Sequence, residues 1–176
     1  ITEEAIEDNL YDRLASRYTK ALARSMSNAK QVKAVTPLNN GLPSTDNFDS
    51  GDAVSLFSTN HTTVSGTAVK NTLTTQADLN ETSLEQALVD IAGMTDERGL
   101  RVAARGVKMV IPSANQFNAE RLMKSQGRTG TADNDINAVA SMGMIPQGYR
   151  VNNFLTDTDS WYIITDVPNG MKMFQR

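Results

Sequence analysis

The chain has 176 residues, 39% of them hydrophobic, and that length allows one domain or two small lobes around a shared core. Its 17 basic and 20 acidic residues leave a net charge of −3, which argues against a surface built mainly to grip nucleic acid phosphates. It has no cysteine, which excludes disulfides, iron–sulfur clusters and cysteine nucleophiles. It has no apolar run of about 18 residues, so we expect no transmembrane helix and no membrane partner.

Residues 2–35 show the pattern of one long amphipathic helix. Thr2 can cap its start, acidic side chains fill its first turns and basic side chains follow toward its end, an order that suits the helix dipole. Apolar residues recur at every fourth position, namely Ile6, Leu10, Leu14, Tyr18, Leu22 and Met26. We predict a spine-like helix whose apolar stripe needs a partner surface. Because the first residue is Ile1 rather than methionine, we expect the sequence to be part of a longer polypeptide.

Residues 36–83 differ in composition, since nearly half of them are Ser, Thr or Asn and Pro37 is among the residues that interrupt them. Such a long polar segment predicts disorder, a functional arm, or an arm that is ordered by a neighbour. The most strand-like piece of the arm is "AVSLFST", residues 53–59. We expect Leu56 and Phe57 to hold the arm against the body of the protein, and His61 to bond the chain where it turns away.

The following segment predicts a helix, a turn and a strand. Ser83 and Gln86 fit a capping box at the start of a helix that buries Leu84, Leu88 and Ile91. A turn at residues 95–99 places Gly99 at positive φ, and a strand over residues 107–111 ends at Pro112.

The last third of the chain predicts one more helix and three strands. The helix is capped by Ser113, carries Phe117 and Leu122 on its apolar face, and ends at Gly127. The strands cover residues 142–146, 149–155 and 160–166, and the third is apolar enough to be buried on both faces. The order of these elements predicts an α+β fold.

Ser58 and His61 raise the question of an enzyme, and His61 also raises that of a metal site. Ser58 and His61, with a distant acid such as Asp157 or Asp166, fit a small α/β hydrolase, although no nucleophile elbow or oxyanion hole leaves a local trace. A single histidine without cysteine makes zinc improbable. We expect no catalytic residue, no metal and no cofactor.

Further polar groups favour turns and surfaces over chemistry. "DNDIN", residues 133–137, begins like a calcium loop but lacks the later glycine and glutamate, so we predict a backbone-bonding turn. Asp96 and Glu97 fit an exposed turn better than an acid–base pair. The basic residues Arg101, Arg105 and Lys108 fit either a face toward an anionic partner or a solvated strand edge.

A series of motifs in a fixed order carries a resemblance to a known family. They are "SLFSTNH", "SLEQAL", "MTDERGL", "MVIPSANQFNAERLMKS", "TADNDIN", "YRVNNFLTDTDSWYIITD" and "GMKMFQR", which lie within roughly residues 50–176. Together they resemble the major capsid proteins of tailed bacteriophages (Caudovirales), of the Mu-like head-subunit type with the Hong Kong 97-type fold.

The resemblance implies a division of the chain. Residues 1–99 would hold the spine helix of a peripheral domain, the extended arm and the helix that follows. Residues 100–176 would form an axial domain, a mixed sheet flanked by helices that meets its copies at capsomer centres, and the return toward the peripheral domain. As candidates for assembly or structural roles we select Leu56, Phe57, His61, Arg98, Gly99, Asn134, Asn137, Trp161 and Asp166.

The resemblance also implies a function. The protein would be a non-enzymatic structural subunit that forms hexamers and pentamers of an icosahedral head, assembled in the bacterial cytoplasm. Its partners would be copies of itself, portal, scaffolding or decoration proteins, and packaged double-stranded DNA bound without sequence preference. The hydrolase remains the main alternative, and a non-enzymatic adhesion or binding module with a mobile Thr-rich loop is the third.

Overall fold

The computed structural model describes residues 2–7, 11–42, 51–128, 135–168, 170–172 and 174. They form two compact units, Ile1–Thr36 and Pro37–Arg176. The helices are α1 Glu3–Glu7, α2 Tyr11–Asn39, α3 Glu81–Ala92, α4 Gln116–Lys124 and α5 Ala138–Met142. The strands are β1 His61–Thr62, β2 Ala68–Val69, β3 Gly106–Ile111, β4 Tyr149–Val151 and β5 Tyr162–Thr165. This mixture of helices and small sheets is compatible with the predicted α+β class.

The first unit consists of α1 and most of α2. The predicted single helix over residues 2–35 is described as two helical segments, because residues 8–10 lie outside the described part of the chain. The predicted end at residue 35 is wrong, since α2 continues through Pro37 to Asn39. A proline lacks a backbone N–H and its ring crowds the carbonyl four residues earlier, but so close to the end of a helix this interrupts little of the hydrogen-bond ladder.

The second unit is built around a three-stranded mixed sheet with the order β4-β3-β5. Strand β3 pairs with β4 in parallel and with β5 in antiparallel orientation. The predicted strand ending before Pro112 is confirmed, and its Met109 and Ile111 side chains are fully buried. Helices cover this face of the sheet, because the core cluster contains Leu79, Leu84, Leu88, Met109, Ile111, Ala119, Leu122, Val139 and Ile145.

That core takes residues from both sides of the proposed boundary at 99/100. Leu84 and Leu88 of α3 belong to the same cluster as Met109 of β3. The compact units instead divide between Thr36 and Pro37. The assignment of residues 1–99 and 100–176 to a peripheral and an axial domain therefore stays a prediction.

Helix α3 begins earlier than predicted. Its N-cap is Asn80, whose side-chain oxygen accepts from the Ser83 N–H at 2.9 Å, while the Ser83 hydroxyl accepts from the Asn80 N–H at 3.0 Å. The capping box is therefore Asn80 with Ser83, and the predicted pairing of Ser83 with Gln86 is wrong. Asparagine caps a helix at least as well as serine, so the helix begins after Asn80 rather than after Ser83. The buried stripe of Leu84, Leu88 and Ile91 is confirmed.

Helix α4 differs from its prediction at both ends. Ser113 does not cap it but begins a 3₁₀ turn, Ser113–Asn115, and the helix ends at Lys124 rather than Gly127. Its buried residues are Ala119 and Leu122, whereas Phe117 is 71% exposed. Residues two apart point to different sides of a helix, so Ala119 facing the core turns Phe117 outward.

The predicted strand at residues 142–146 is wrong. Asn137 instead caps α5, which ends at Gly143 in the left-handed conformation with φ +60°. Ile145 in the turn that follows is nevertheless buried. A short helix with a cap at each end thus competes successfully with the apolar run that suggested a strand.

The other two predicted strands are shorter than expected. Strand β4 covers only residues 149–151, and β5 covers residues 162–165. Strand β5 lies at an edge of the sheet, and Ile164 is 49% exposed, so the prediction that this strand is buried on both faces is wrong. An apolar run alone does not tell a central strand from an edge strand.

No helix in the described part of the chain is long and apolar enough to span a membrane.

Candidate functional site

The polar arm contacts the rest of the second unit at Phe57. The Phe57 ring lies 5.3 Å from the ring of Tyr162 in β5, centroid to centroid, and the planes are tilted by 39°. The Phe57 N–H donates to the Gly41 carbonyl at 2.8 Å. We call Gly41, Phe57, Asn71 and Tyr162 the arm anchor.

Gly41 leaves the space that the Phe57 ring occupies. A Cβ atom at this position would lie 2.6 Å from the Pro37 carbonyl oxygen and 2.7 Å from the Phe57 ring. Real Cβ contacts are longer than this, so any larger residue would displace either the end of α2 or the ring. The close approach of two chain segments thus requires glycine here.

Tyr162 joins the arm anchor to the end of α2. Its hydroxyl donates to the Leu38 carbonyl at 2.7 Å, and burial raises the pKa of this hydroxyl above its ordinary value. Asn39 adds two contacts, because its amide donates to the Phe154 carbonyl at 3.0 Å and accepts from the Thr156 N–H at 3.2 Å. The Tyr162 bond satisfies a backbone carbonyl at the helix end, and the Asn39 bonds tie that end to the backbone of residues 154 and 156. Together they help to explain why α2 continues past Pro37.

Asn71 replaces a strand partner for residues 56–58. Its amide donates to the Leu56 carbonyl at 2.7 Å and accepts from the Ser58 N–H at 2.9 Å. Its own N–H donates to the Ser58 carbonyl at 3.1 Å. One side chain thus holds a segment that forms no strand of its own. In "AVSLFST", the most strand-like piece of the arm, only Ser55 forms a β-bridge and no strand is present.

The far end of the arm is also bound to the second unit. Trp161 donates from its indole nitrogen to the Ala77 carbonyl at 3.0 Å, and Asn118 of α4 donates to the Leu79 carbonyl at 2.6 Å. Leu79 itself is 3% exposed and belongs to the core. Residues 51–79 thus bond to their own chain, and ordering of the arm by a neighbour stays a prediction.

His61 lies at the start of the β1–β2 hairpin and pairs with an acid that the sequence did not single out. Its Nδ1 is 2.8 Å from Asp52 Oδ2, and its buried Nε2 has no hydrogen-bond partner in the described part of the chain. The Ser58 hydroxyl instead accepts from the Asn60 N–H at 3.1 Å. A serine nucleophile must hydrogen-bond its histidine, and this pair does not.

The two acids proposed for the hydrolase are engaged elsewhere. Asp157 accepts from the Asp159 N–H at 3.1 Å, and Asp166 accepts from the Arg105 N–H at 2.8 Å. The Asp166 N–H in turn donates to the Arg105 carbonyl, so Asp166 closes the β3–β5 ladder. Ser58, His61 and these acids are therefore not assembled into one site. Among the described residues, no cluster of three His, Asp or Glu side chains is suited to hold a metal ion.

Arg98 and Gly99 occupy an exposed turn organised by Asp96. One Asp96 carboxylate oxygen accepts from the N–H groups of Arg98 and Leu100 at 2.9 and 2.8 Å. Gly99 has φ +83°, a conformation that glycine adopts without strain, so the predicted turn is confirmed. Of the basic residues that follow, Arg101 and Arg105 are exposed and Lys108 is half-buried.

Asn137 ties α5 to the end of α4. It is 2% exposed, donates to the Leu122 carbonyl at 2.7 Å and accepts from the Ala140 N–H at 3.1 Å. Its own N–H donates to the Gln126 carbonyl. Asn134, the other asparagine of "DNDIN", lies outside the described residues.

A small polar network joins α4 to β4 at the surface. Hydrogen bonds from Lys124 at 2.7 Å and from the Tyr149 hydroxyl at 2.9 Å lower the pKa of the Glu120 carboxyl. The same bonds raise the pKa values of Lys124 and Tyr149. Such exposed pairs fix orientation more than they add stability.

Sequence reasoning missed Asn71, Asp52 and Tyr162. Each acts on a residue that is distant in sequence or that carries no motif, so no local signal could have identified them. The sequence shows that the arm is rich in asparagine, but it does not show which asparagine binds the backbone of residues 56–58.

Comparison with known proteins gives one match. A family model described as phage capsid protein matches residues 1–175. No curated protein and no solved structure matches the chain. The match covers α1 and α2 as well as residues 50–175, and so extends beyond the motifs on which the resemblance rested.

Proposed function

This chain belongs to the phage capsid protein family, and on that premise we propose that it is the major capsid protein of a tailed bacteriophage. Capsid proteins are structural, and the chain is therefore a virion component. Many copies of such a subunit assemble into the capsid. We propose that the subunits form hexamers and pentamers, which close into an icosahedral head around double-stranded DNA. The family match over residues 1–175 is the observation that carries this proposal.

The fold that we propose is the Hong Kong 97-type fold of Mu-like head subunits. In this proposal α2 is the spine helix of the peripheral domain and the β4-β3-β5 sheet belongs to the axial domain. The length of α2, 29 residues, supports the first assignment. The mixed sheet with helices packed on one face supports the second.

The chemistry of the described residues suits a tiling subunit. Such a subunit needs rigid elements and firmly attached loops, because the same patches are reused at every copy and small individual contacts add up on closure. The arm anchor supplies such an attachment through Phe57, and the Asp96 turn presents Arg98 on the surface. The selected candidate residues would then act by holding these surfaces in place.

Packaged DNA would be enclosed rather than tightly bound. Many phosphate contacts would make binding strong and salt-dependent, whereas the net charge of −3 favours weak, non-specific contact. Assembly in the host cytoplasm and contacts with portal, scaffolding or decoration proteins belong to the same proposal.

Sedimentation velocity and negative-stain microscopy of the full-length protein, expressed in bacteria, test the proposal. We expect species of capsomer size or larger, and shells at high concentration. A monomer that persists at all concentrations would contradict the capsid role.

His61→Ala separates this function from the hydrolase. A structural role predicts that the His61→Ala variant still forms particles. It also predicts that neither the wild type nor the variant hydrolyses activated esters. Ester turnover by the wild type that is lost in His61→Ala, with assembly unchanged, would favour the hydrolase.

A further inference from the structure

The basic charge of this chain is concentrated on one helix. Residues 13–33, which lie within α2, contain six basic and no acidic residues. The other residues of the chain contain 11 basic and 20 acidic residues. The net charge of −3 therefore conceals a strongly basic segment inside an otherwise acidic protein.

One side of α2 is polar over about four turns and carries no acid. At about 100° per residue, six polar positions fall within about 100° of one another around the helix axis, and they extend over about 21 Å at 1.5 Å per residue. They are Arg17, Lys20, Arg24, Ser27, Asn28 and Gln31, and each of them is exposed. We call these six residues the basic ridge. The apolar residues Tyr18, Leu22 and Met26 project to the opposite side of the helix.

The side chains of the basic ridge have no partner in the part of the chain that the structure describes. None of them makes an ion pair or a hydrogen bond with a described residue. Arg17 and Lys20 are three residues apart, and Lys20 and Arg24 are four apart, so like charges are neighbours on the helix surface. Such pairs destabilise a helix slightly. An arrangement that costs stability and is not neutralised indicates an anionic partner.

We propose that the basic ridge contacts the phosphate backbone of double-stranded DNA. Arginine and lysine neutralise phosphates, and serine, asparagine and glutamine side chains donate hydrogen bonds to phosphate oxygens. A basic stripe along one helix is the electrostatic footprint of a protein that binds nucleic acid without reading its sequence. The inference rests on the proposed function, because it assigns the DNA contact of the capsid subunit to one surface.

A phosphate backbone fits the ridge better than an acidic protein surface does. The core of a protein interface is apolar and depleted of charge, whereas the ridge contains no apolar residue. A phosphate backbone requires only cations and hydrogen-bond donors that follow one another along an axis. The ridge supplies both, with Arg17, Lys20 and Arg24 separated by about 4.5 and 6 Å along the helix.

Each subunit binds DNA weakly in this proposal. Three cations that neutralise three phosphates give a slope of about −2.7 in a plot of log affinity against log salt concentration. The acidic remainder of the chain opposes any tighter contact. Many copies in one shell would add such weak contacts together, so the DNA is held near the wall without being trapped by a single subunit.

The first test removes the three cations of the ridge from the full-length protein. The variant is Arg17→Gln/Lys20→Gln/Arg24→Gln, and glutamine preserves the helix because its propensity is close to that of arginine and lysine. The measurement is fluorescence anisotropy with a labelled DNA duplex of about 30 base pairs, over a range of salt concentrations. We expect affinity at low salt to fall at least tenfold, and the salt slope to shrink by about one unit for each cation removed.

The matched control removes three exposed arginines of the second unit. Arg101→Gln/Arg105→Gln/Arg121→Gln changes the net charge by the same amount, and we expect it to change DNA affinity less than twofold. Equal losses in the two triple variants would overturn the proposal, because binding would then follow net charge alone. Circular dichroism checks that both variants keep their helices.

A charge-preserving variant tests the phosphate contact separately. Arg17→Lys/Arg24→Lys keeps each positive charge, and lysine binds phosphate as a point charge, so we expect affinity within about threefold of the wild type and an unchanged salt slope. A loss as large as that of the glutamine variant would contradict a contact that depends on charge.

Assembly without DNA distinguishes the ridge from a contact between subunits. We expect the ridge glutamine variant to associate like the wild type in sedimentation velocity when no DNA is present. Association that is lost in this variant, with DNA affinity unchanged, would show that the ridge binds an acidic surface of another copy and would overturn the proposal.

The ridge contact and the capsid function fail in different ways. Wild-type shells that form normally, from a protein whose DNA affinity does not depend on the ridge, would refute the contact and leave the capsid function intact. A wild-type protein that binds DNA through the ridge but never builds capsomers would refute the capsid function and leave the contact intact.

Discussion

The arm of residues 51–79 and helix α2 contradict simple expectations in opposite directions. The arm is polar, yet Phe57, Asn71 and Leu79 bind it to its own chain. The helix carries a regular apolar stripe, yet Tyr18, Leu22 and Met26 are more than half exposed. Composition therefore does not tell which segment is attached. A polar arm can be fixed by a few distant side chains, whereas an apolar stripe stays open until another surface covers it.

Among the substitutions that test this comparison, Phe57→Ala should lower the free energy of unfolding most. Complete truncation of a buried phenylalanine costs about 3–5 kcal/mol, and Phe57 is half-buried, so we expect a loss of about 2–3 kcal/mol in the free energy of unfolding. Phe117→Ala is the control, because this ring is 71% exposed, and it should change stability by less than about 0.5 kcal/mol. Urea unfolding measures both, and equal losses would show that Phe57 does not anchor the arm.

Gly41→Ala should follow, with a loss of about 2 kcal/mol from overpacking against the Pro37 carbonyl and the Phe57 ring. The control is Gly51→Ala, since a Cβ at Gly51 meets no atom within 4 Å. Thermal unfolding compares the two variants. If Gly41→Ala is as stable as its control, the close approach at Gly41 is not a constraint.

Asn71→Ala should cost about 1–2 kcal/mol, because it removes both side-chain hydrogen bonds to residues 56–58. Asn60→Ala is the control on the same arm: Asn60 is exposed like Asn71, but its hydrogen bond to Ser58 comes from the backbone N–H and survives the change, so this variant should be nearly neutral. Limited proteolysis adds a local measurement, since a released arm is cleaved faster. An unchanged cleavage rate in Asn71→Ala would show that the hydrogen bonds of the Asn71 side chain do not hold the arm.

Leu22→Ala should have the smallest effect on the unfolding of the unassociated subunit. Leu22 is 61% exposed and alanine favours helices, so we expect a change below about 0.5 kcal/mol. The measurement is urea unfolding at a concentration where the subunit is monomeric. A loss of several kcal/mol there would mean that the stripe is buried within its own subunit.

Local patterns predicted the parts of the fold that depend on neighbouring residues. The alternation before Pro112 predicted β3, the spacing of Leu84, Leu88 and Ile91 predicted α3, and Gly99 marked a turn. The family resemblance indicated a capsid protein, and the family match agrees at that level.

Elements that depend on distant partners could not be predicted in this way. The end of α2 past Pro37 is supported by Tyr162, and the hold on residues 56–58 depends on Asn71. The apolar run at residues 142–146 resembles a strand, but the cap at Asn137 starts a short helix that ends at Met142. The pairing of His61 with Asp52 likewise has no signature in the sequence.

Cryo-electron microscopy of particles formed by the full-length protein tests the central claim most directly. The account predicts closed shells whose reconstruction shows hexamers and pentamers of this chain, with α2 resolved as a continuous helix. Preparations that contain only monomers under all assembly conditions, or particles whose shell is built from another protein, would contradict it.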